Sequence, residues 1–316
     1  MLYQAFDLLL ESNVVLPELR TAQGKEPLIL FRLHAARPQD HVTDHWFRHV
    51  RLPDGGEWLA VASQQQGFLL RFPGMADFTV SAPGADIDCY PQAGIDWVTL
   101  RHLLLDQVIP MVVNQRGELV LHASAVASRD GAIVFLGKTG LGKSTLCASF
   151  CQQGFALLTD DCLLLRREGQ RFWGLPSYPG LRLWPETRKA LSLDSLEFVP
   201  VAQYTSKGRI QLHSGRLPFC TGPVPVERLY VLAPSDEGPA IERVRICPMK
   251  SSEAFLELVN ASFRLDTTDR NRNRRAFEHT DQAVSALAVF RLSFPREISF
   301  LPSVREAVLE HLAGGR

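Results

Sequence analysis

An α/β chain with a smaller β-rich unit at its N-terminus is the fold class this sequence predicts, and three observations predict it. Residues 1 to about 97 read as short alternating strands broken by turn residues, as in "RLPDGGEWLAVAS" and "GFLLRFPGMADFTVSAPG". From Glu118 onward, runs with strand character alternate with runs of helical spacing. Between two of these lies a glycine loop of the phosphate-binding kind, "GKTGLGKS", from Gly137 to Ser144. The predicted division is therefore an accessory β-rich domain over 1–97 and an α/β domain over 98–316.

The second domain is predicted to open with a helix over "WVTLRHLLLDQVIPMVVNQRG", where apolar residues recur at helical spacing, Pro110 introduces a kink and Gly117 ends the run. "ELVLHASAVAS" and "AIVFLG" then read as a hairpin around Asp130-Gly131. "KSTLCASFCQQG" is a helix closed by Gly154, "FALLTDD" a strand, and "CLLLRREGQRFWGL" further strand and turn. Three prolines and a glycine make "PSYPGLRLWPE" a loop, followed by a short helix with Pro185 near its start. "VERLYVLAP" reads as a buried strand. "SSEAFLELVNASF" reads as a helix capped by Ser251 or Ser252, and "PSVREAVLEHLAGG" as a terminal helix capped by Ser303.

Composition narrows the function classes. With 46% hydrophobic and 22% charged residues the chain should be ordered and globular. Lys+Arg and Asp+Glu are both 34, so no net field draws it to nucleic acid or to an anionic membrane, and neither partner is expected. Six cysteines contain no C-x-x-C pair, which argues against a zinc site or a disulfide framework. Cys147 and Cys151 read as small buried apolar residues. The N-terminal "MLYQAFDLLLESN" has no basic leader pattern, and no apolar run approaches a membrane span. A cytoplasmic protein with reduced thiols is expected.

The glycine loop carries the chemistry. Gly137, Lys138, Thr139, Gly140, Leu141, Gly142, Lys143 and Ser144 fit G-x-x-x-x-G-K-[ST] at every position, with a strand before and a helix after, and Thr145 continues into that helix. Glycines let backbone N–H groups turn inward around an anion, and the helix start adds partial positive charge. Lys143 would bridge the outer phosphates of a nucleotide, and Ser144 would place its hydroxyl on Mg²⁺. Asp160 follows Lys143 by 17 residues and, with Asp161, ends the next strand. One short helix, one turn and one strand bring that pair back beside the loop. One carboxylate would serve the metal and the other would accept a proton from an attacking hydroxyl. His122, in "LVLHASAV", lies on the first run of the predicted hairpin.

The stretch from 121 to 165, "LHASAVASRDGAIVFLGKTGLGKSTLCASFCQQGFALLTDDCLLL", resembles the core of the HPr kinase/phosphorylase family. Looser likeness to an HPr-kinase-related branch runs through "SYPGLRLWPE", "ERLYVLAP" and "LSFPRE". The resemblance implies a P-loop kinase core of the phosphoenolpyruvate-carboxykinase-like type, using ATP and Mg²⁺ to phosphorylate a serine hydroxyl of a protein or peptide. By residue it implies Lys143 and Ser144 on phosphate and metal, Asp160 as general base, Asp161 on metal or substrate, and His122 near the phosphates. The parent family's Glu-Ile-Arg-Gly-Leu-Gly-type signature has no counterpart, because that region reads "GLPSYPGLRLWPE". That departure weighs against the phosphocarrier HPr as acceptor and against the reverse phosphorylase reaction, and leaves the acceptor open. A nucleotide-sensing module with little or no transfer, and a small-molecule hydroxyl kinase, are the alternative readings, and self-association is left open.

Four further features complete the candidates. Lys207 in "TSKGRIQL" reads first as a solvated turn charge and second as a group within reach of a phosphate. Arg182, in the proline-rich loop, has the same standing. The basic run Arg270, Arg272, Arg274 and Arg275 reads first as a solvated helix start or loop and second as a clamp for phosphate or an acidic partner, and Arg296 in "FPRE" has no assigned physical role.

Overall fold

The computed structural model describes residues 1–24, 26–40, 45–212, 217–233 and 242–314. It is a mixed α/β structure of two compact units. The first comprises Met1–Glu118 with Val201–Thr205 and Phe263–Ala276, and the second Leu119–Pro200, Ser206–Ser262 and Phe277–Arg316.

Among the described residues nine strands build the sheet of the first unit: β1 (Leu2–Ala5), β2 (Leu8–Ser12), β3 (Arg20–Thr21), β4 (Ile29–Leu33), β5 (His45–Arg51), β6 (Glu57–Gln64), β7 (Gly67–Phe72), β8 (Ala76–Ser81) and β9 (Asp86–Pro91). They form one sheet in the order β3-β1-β2-β4-β9-β8-β7-β6-β5. Helix α1 (Trp97–Leu103), a π-helical turn (Leu104–Val108) and α2 (Ile109–Gln115) follow. Pro110 cannot donate to the helix ladder, and a π-helical turn widens the helix just before it.

These helices fall in the first unit, so the contact boundary lies after Glu118 and not at residue 97. Named contacts explain why. Arg101 Nε reaches Glu18 at 2.9 Å, Trp97 Nε1 donates to Val15 O at 3.2 Å, and the Phe31 and Trp97 rings stack at 6.3 Å. Apolar helical spacing shows that a face is buried; it does not show in which unit.

The second unit holds β10 (Leu119–Leu121), β11 (Ala123–Ala127), β12 (Ala132–Leu136), α3 (Lys143–Cys151), β13 (Ala156–Thr159), β14 (Leu163–Glu168), β15 (Arg171–Leu175), β16 (Gly180–Leu183) and α4 (Pro185–Ala190). The chain continues through β17 (Phe198–Ala202), β18 (Thr205–Gln211), β19 (Val224–Leu232), β20 (Arg245–Pro248), α5 (Ser251–Ala261), α6 (Arg270–Ala286), β21 (Ala288–Ser293) and α7 (Leu301–Gly314), the end of β17, the first residue of β18 and α6 as far as Ala276 counting with the first unit. The main sheet runs β10-β14-β15-β19-β12-β11-β13, with β21 beside β19 and β20 beside β21; a smaller sheet runs β16-β18-β17.

At the centre β12, β19 and β21 are parallel. A strand buried on both faces needs no polar alternation, and "AIVFL" in β12 is apolar throughout. Ile133 and Phe135 point into one core with Leu146 and Phe150 of α3 and Val304 and Val308 of α7. Val134 and Leu136 point into another with Leu258 of α5 and Ala283 of α6. Phe135 lies 5.7 Å from Phe150 and 6.0 Å from Tyr230, ring centre to ring centre. Full burial of each such side chain contributes about 1.5–3 kcal/mol. This double cover holds the end of β12, where the glycine loop begins, in one place.

Several local expectations are corrected. The first run of the predicted hairpin is two strands, broken at His122, because β10 pairs with β14 while β11 pairs with β12 and β13. Gly131 still makes the turn between β11 and β12: its φ is +153°, and a Cβ there would sit 2.7 Å from Pro225 O. "PSYPGLRLWPE" is not all loop, since Gly180–Leu183 pairs with β18 and buries Leu181 and Leu183. Lys207 lies on β18 and not in a turn. Helix α5 starts at Ser251 with Lys250 as its N-cap and no side-chain cap bond. Helix α7 starts at Leu301, fed by a 3-10 turn, so Ser303 lies inside it. Pro234, the last residue of the predicted strand "VERLYVLAP", lies outside the described residues. Among those described, no helix is long and apolar enough to cross a membrane.

Candidate active site

Strand β12 delivers the chain into the glycine loop, and α3 leaves it at Lys143. Gly142, the N-cap of α3, has φ +90°, a conformation that disfavours any residue with a Cβ. The cap makes no side-chain hydrogen bond, and the first turn of α3 carries no acidic residue. Its backbone N–H groups thus face the loop with no carboxylate of their own turn to neutralise them. Lys138, Thr139 and Gly140 form the exposed rim, while Leu141 and Thr145 are half-buried.

Lys143 crosses beneath this rim. Its Nζ donates to Gly137 O at 2.7 Å and to Lys138 O at 3.3 Å, strapping the start of the loop to the start of the helix. An ammonium has three donors, so a third direction remains for a phosphate oxygen. Burial pushes the lysine below its ordinary pKa, and Asp161 and Asp160 oppose that shift.

Arg296 clamps the loop from outside. Its guanidinium donates to Leu141 O and to Ala233 O, joining the loop to the chain just beyond β19. The arginine that had no role assigned from the sequence is a brace for the glycine loop.

The carboxylates arrive from β13. Asp160 is buried, and its Oδ1 accepts from Ser144 Oγ at 2.8 Å and from Ser124 Oγ at 2.7 Å. Its Oδ2 accepts from the Arg182 backbone N–H at 2.8 Å. Asp161 follows in the left-handed region at φ +70°, which costs an ordinary residue about 1 kcal/mol and which aspartate tolerates better than most. That turn separates the two side chains. Asp160 points inward, and Asp161, 21% exposed, reaches the surface of the site.

Arg182 ties the pair together. Its side chain is 2% exposed, and Nη2 lies 3.0 Å from Asp161 Oδ2 and 2.8 Å from Asp160 O. Burial, with the Asp161 charge, raises the Asp160 carboxyl above its usual range. Burial would raise Asp161 too, but Arg182 foremost, with Lys143 and Lys207, holds it well below that range. Two adjacent carboxyls with opposite shifts are a pattern of functional sites.

His122 sits at the break between β10 and β11. Its backbone N–H donates to Ala261 O at 2.7 Å, and its Nδ1 lies 3.1 Å from Asp161 O. A carbonyl only accepts, so this contact fixes the ring proton on Nδ1. Burial, with the Lys143 charge, pushes the imidazole down to about 4.

Loop, Lys143, Ser144, Asp160, Asp161 and His122 are therefore brought together, as expected. Ser124 was missed, although a lone serine in the otherwise apolar strand "ASAVA" was a readable signal. Arg182 was underrated because its strand was taken as loop. Cys147 and Cys151 line the buried side of α3, where burial pushes Cys151 up to about 12.

Ser144, Asp160 and Asp161 offer hard oxygen donors, the kind magnesium takes. Among the described residues no cluster of three or more His, Cys, Asp or Glu forms a metal cage. That donor set fits an ion carried mainly by a nucleotide's phosphates, which needs only one or two protein oxygens.

No family model matches the sequence, and no curated protein matches it. Among solved structures, the chain is similar to the HPr(Ser) kinase/phosphatase from Coxiella burnetii at 14% identity, over 61% of this chain and 97% of that one, with a TM-score of 0.31. A TM-score so low gives the likeness no weight in assigning fold or chemistry.

Proposed function

We propose that the second unit is an ATP-dependent phosphotransferase that delivers a γ-phosphoryl group to a hydroxyl, with a serine of a protein or peptide as the favoured acceptor. One observation carries this reading: the hydrogen bond from Ser144 to Asp160, which couples the phosphate loop to a strand end whose next residue, Asp161, is ionised and reaches the surface.

Each residue then has a task. The loop N–H groups and Lys143 bind phosphate oxygens, and Arg296 keeps the loop from opening. Ser144 presents its oxygen lone pairs to the metal while its proton is held by Asp160. Bound MgATP supplies the phosphoryl group and the divalent charge that neutralises it.

The two aspartates divide their work differently from the expectation carried by the resemblance. Asp160 already accepts three hydrogen bonds in a buried site, which suits an anchor on the metal side. Asp161, whose carboxylate is accessible, is the better placed to orient and deprotonate the acceptor. Its low pKa is no obstacle, since little proton transfer is needed in a loose phosphoryl-transfer transition state. His122 borders the phosphates as a neutral ring.

Incubation with γ-labelled ATP and Mg²⁺ against cell extract tests this, with Asp161→Asn alongside the wild type. Label on a discrete protein or metabolite, lost in the variant, supports the proposal. Nucleotide binding without transfer to anything would favour a nucleotide-sensing module instead.

A further inference from the structure

We infer that Lys207 is a second phosphate-gripping lysine, closing on the terminal phosphate of a nucleoside triphosphate from the side opposite the glycine loop, so that the site tells a triphosphate from a diphosphate. This rests on the phosphotransferase reading above and adds a specificity residue to it.

The register of β16 and β18 places it. Arg182 lies directly opposite Arg209, and Leu183 opposite Gly208. Directly opposed residues project to the same side of a sheet, and so do residues two apart on one strand. Arg182, Arg209 and Lys207 therefore share one face, and it is the face that carries Arg182 to both aspartates. Trp184 extends the same row, and Lys207 Nζ lies 5.1 Å from the centre of its ring.

The three cations differ in their surroundings. Arg182 is buried on the aspartates. Arg209 is equally buried, with its guanidinium 5.2 Å from the Tyr178 ring centre and its stem filling the space above Gly180, where a Cβ would meet Arg209 Cδ at 2.8 Å. Lys207 is the half-exposed one, at the open end of the row beside exposed Trp184.

Its position is fixed rather than incidental. Gly208 packs so closely on Phe198 that an added Cβ would lie 2.4 Å from the ring, which holds the strand in register. The Lys207 charge depresses both Asp161 and Lys143, which puts its ammonium within electrostatic reach of both. Like charges converging from two elements repel, and an anion between them removes the repulsion. The start of α3 carries backbone N–H groups with no side-chain cap.

Titration calorimetry with Mg-ATP and Mg-ADP, on the full chain and on Lys207→Met, tests the assignment. Methionine keeps the stem and removes the charge. Affinity for Mg-ATP should fall roughly tenfold or more, as for loss of one charge-assisted hydrogen bond, with Mg-ADP affinity changed by less than about twofold and an unchanged melting temperature. Lys207→Arg should recover most of the ATP affinity. Equal losses for both nucleotides, or no loss for either, overturn the inference and leave the phosphotransferase reading intact. Failure of the wild type to bind either nucleotide overturns both.

Discussion

Ser144 and Asp160 are joined by a hydrogen bond of 2.8 Å that links the first turn of α3 to the end of β13. Asp160 also holds Ser124 and the backbone of Arg182, so one buried carboxylate fastens three elements at the mouth of the glycine loop. Its replacement should therefore cost stability as well as activity. Asp160→Ala leaves the Arg182 guanidinium buried with half of its compensation gone, and a loss of roughly 3–5 kcal/mol is expected. Urea denaturation of the variant measures it.

Asp161→Asn should behave differently. The residue is partly exposed, and its replacement deletes a negative charge beside the proposed phosphate site. Nucleotide affinity should stay the same or tighten while transfer falls by roughly a hundredfold or more, as for loss of a positioned acid–base group. Comparing ATP affinity with turnover separates the two effects. Loss of both together would mean that Asp161 supports the nucleotide and not the acceptor.

His122 should make the fold sensitive to acid. Its folded pKa of about 4 lies below the ordinary 6.5 of an unfolded chain. Between those values the unfolded chain holds a proton that the folded chain does not, so stability falls as pH drops from 6.5 toward 4. The contribution is roughly 2 kcal/mol. His122→Gln should flatten this part of the stability curve, and denaturation at pH 6.5 and pH 4.5 reads it directly. Asp160 titrates upward-shifted in both proteins and cancels in the comparison.

Arg296 reaches two carbonyls in different segments, Leu141 O and Ala233 O. Arg296→Ala should loosen the loop and lower nucleotide affinity by roughly tenfold, with a smaller effect on melting temperature. Arg296→Lys should not restore it, because a single ammonium does not reproduce a planar fork of donors. Calorimetric titration of both variants decides the point.

Much of this arrangement was legible in the sequence because its signals are local. The glycine loop, Lys143 and Ser144 are written as one contiguous motif, and the short helix after them returns Asp160 and Asp161 beside the loop by chain length alone. "AIVFL" announced a buried strand by lacking any polar residue. What escaped depends on partners far away in the chain. Arg182 and Lys207 sit in polar, proline-flanked stretches whose strand character comes from pairing with each other's strand, which no local pattern encodes. Arg296 clamps a loop 155 residues earlier in the chain. His122 lay inside a run that looked like one strand, and only the change of partner from β14 to β12 breaks it. The division by contacts after Glu118 was not legible for the same reason, since α1 and α2 advertise a buried face but not what covers it.

The most direct test of the central claim is the Mg²⁺ dependence of ATP binding, measured calorimetrically for the wild type and Ser144→Ala. The account predicts that Mg²⁺ tightens ATP binding by roughly tenfold or more in the wild type and that Ser144→Ala abolishes this gain. Binding of ATP that is indifferent to Mg²⁺, or a gain that survives loss of the Ser144 hydroxyl, would contradict it.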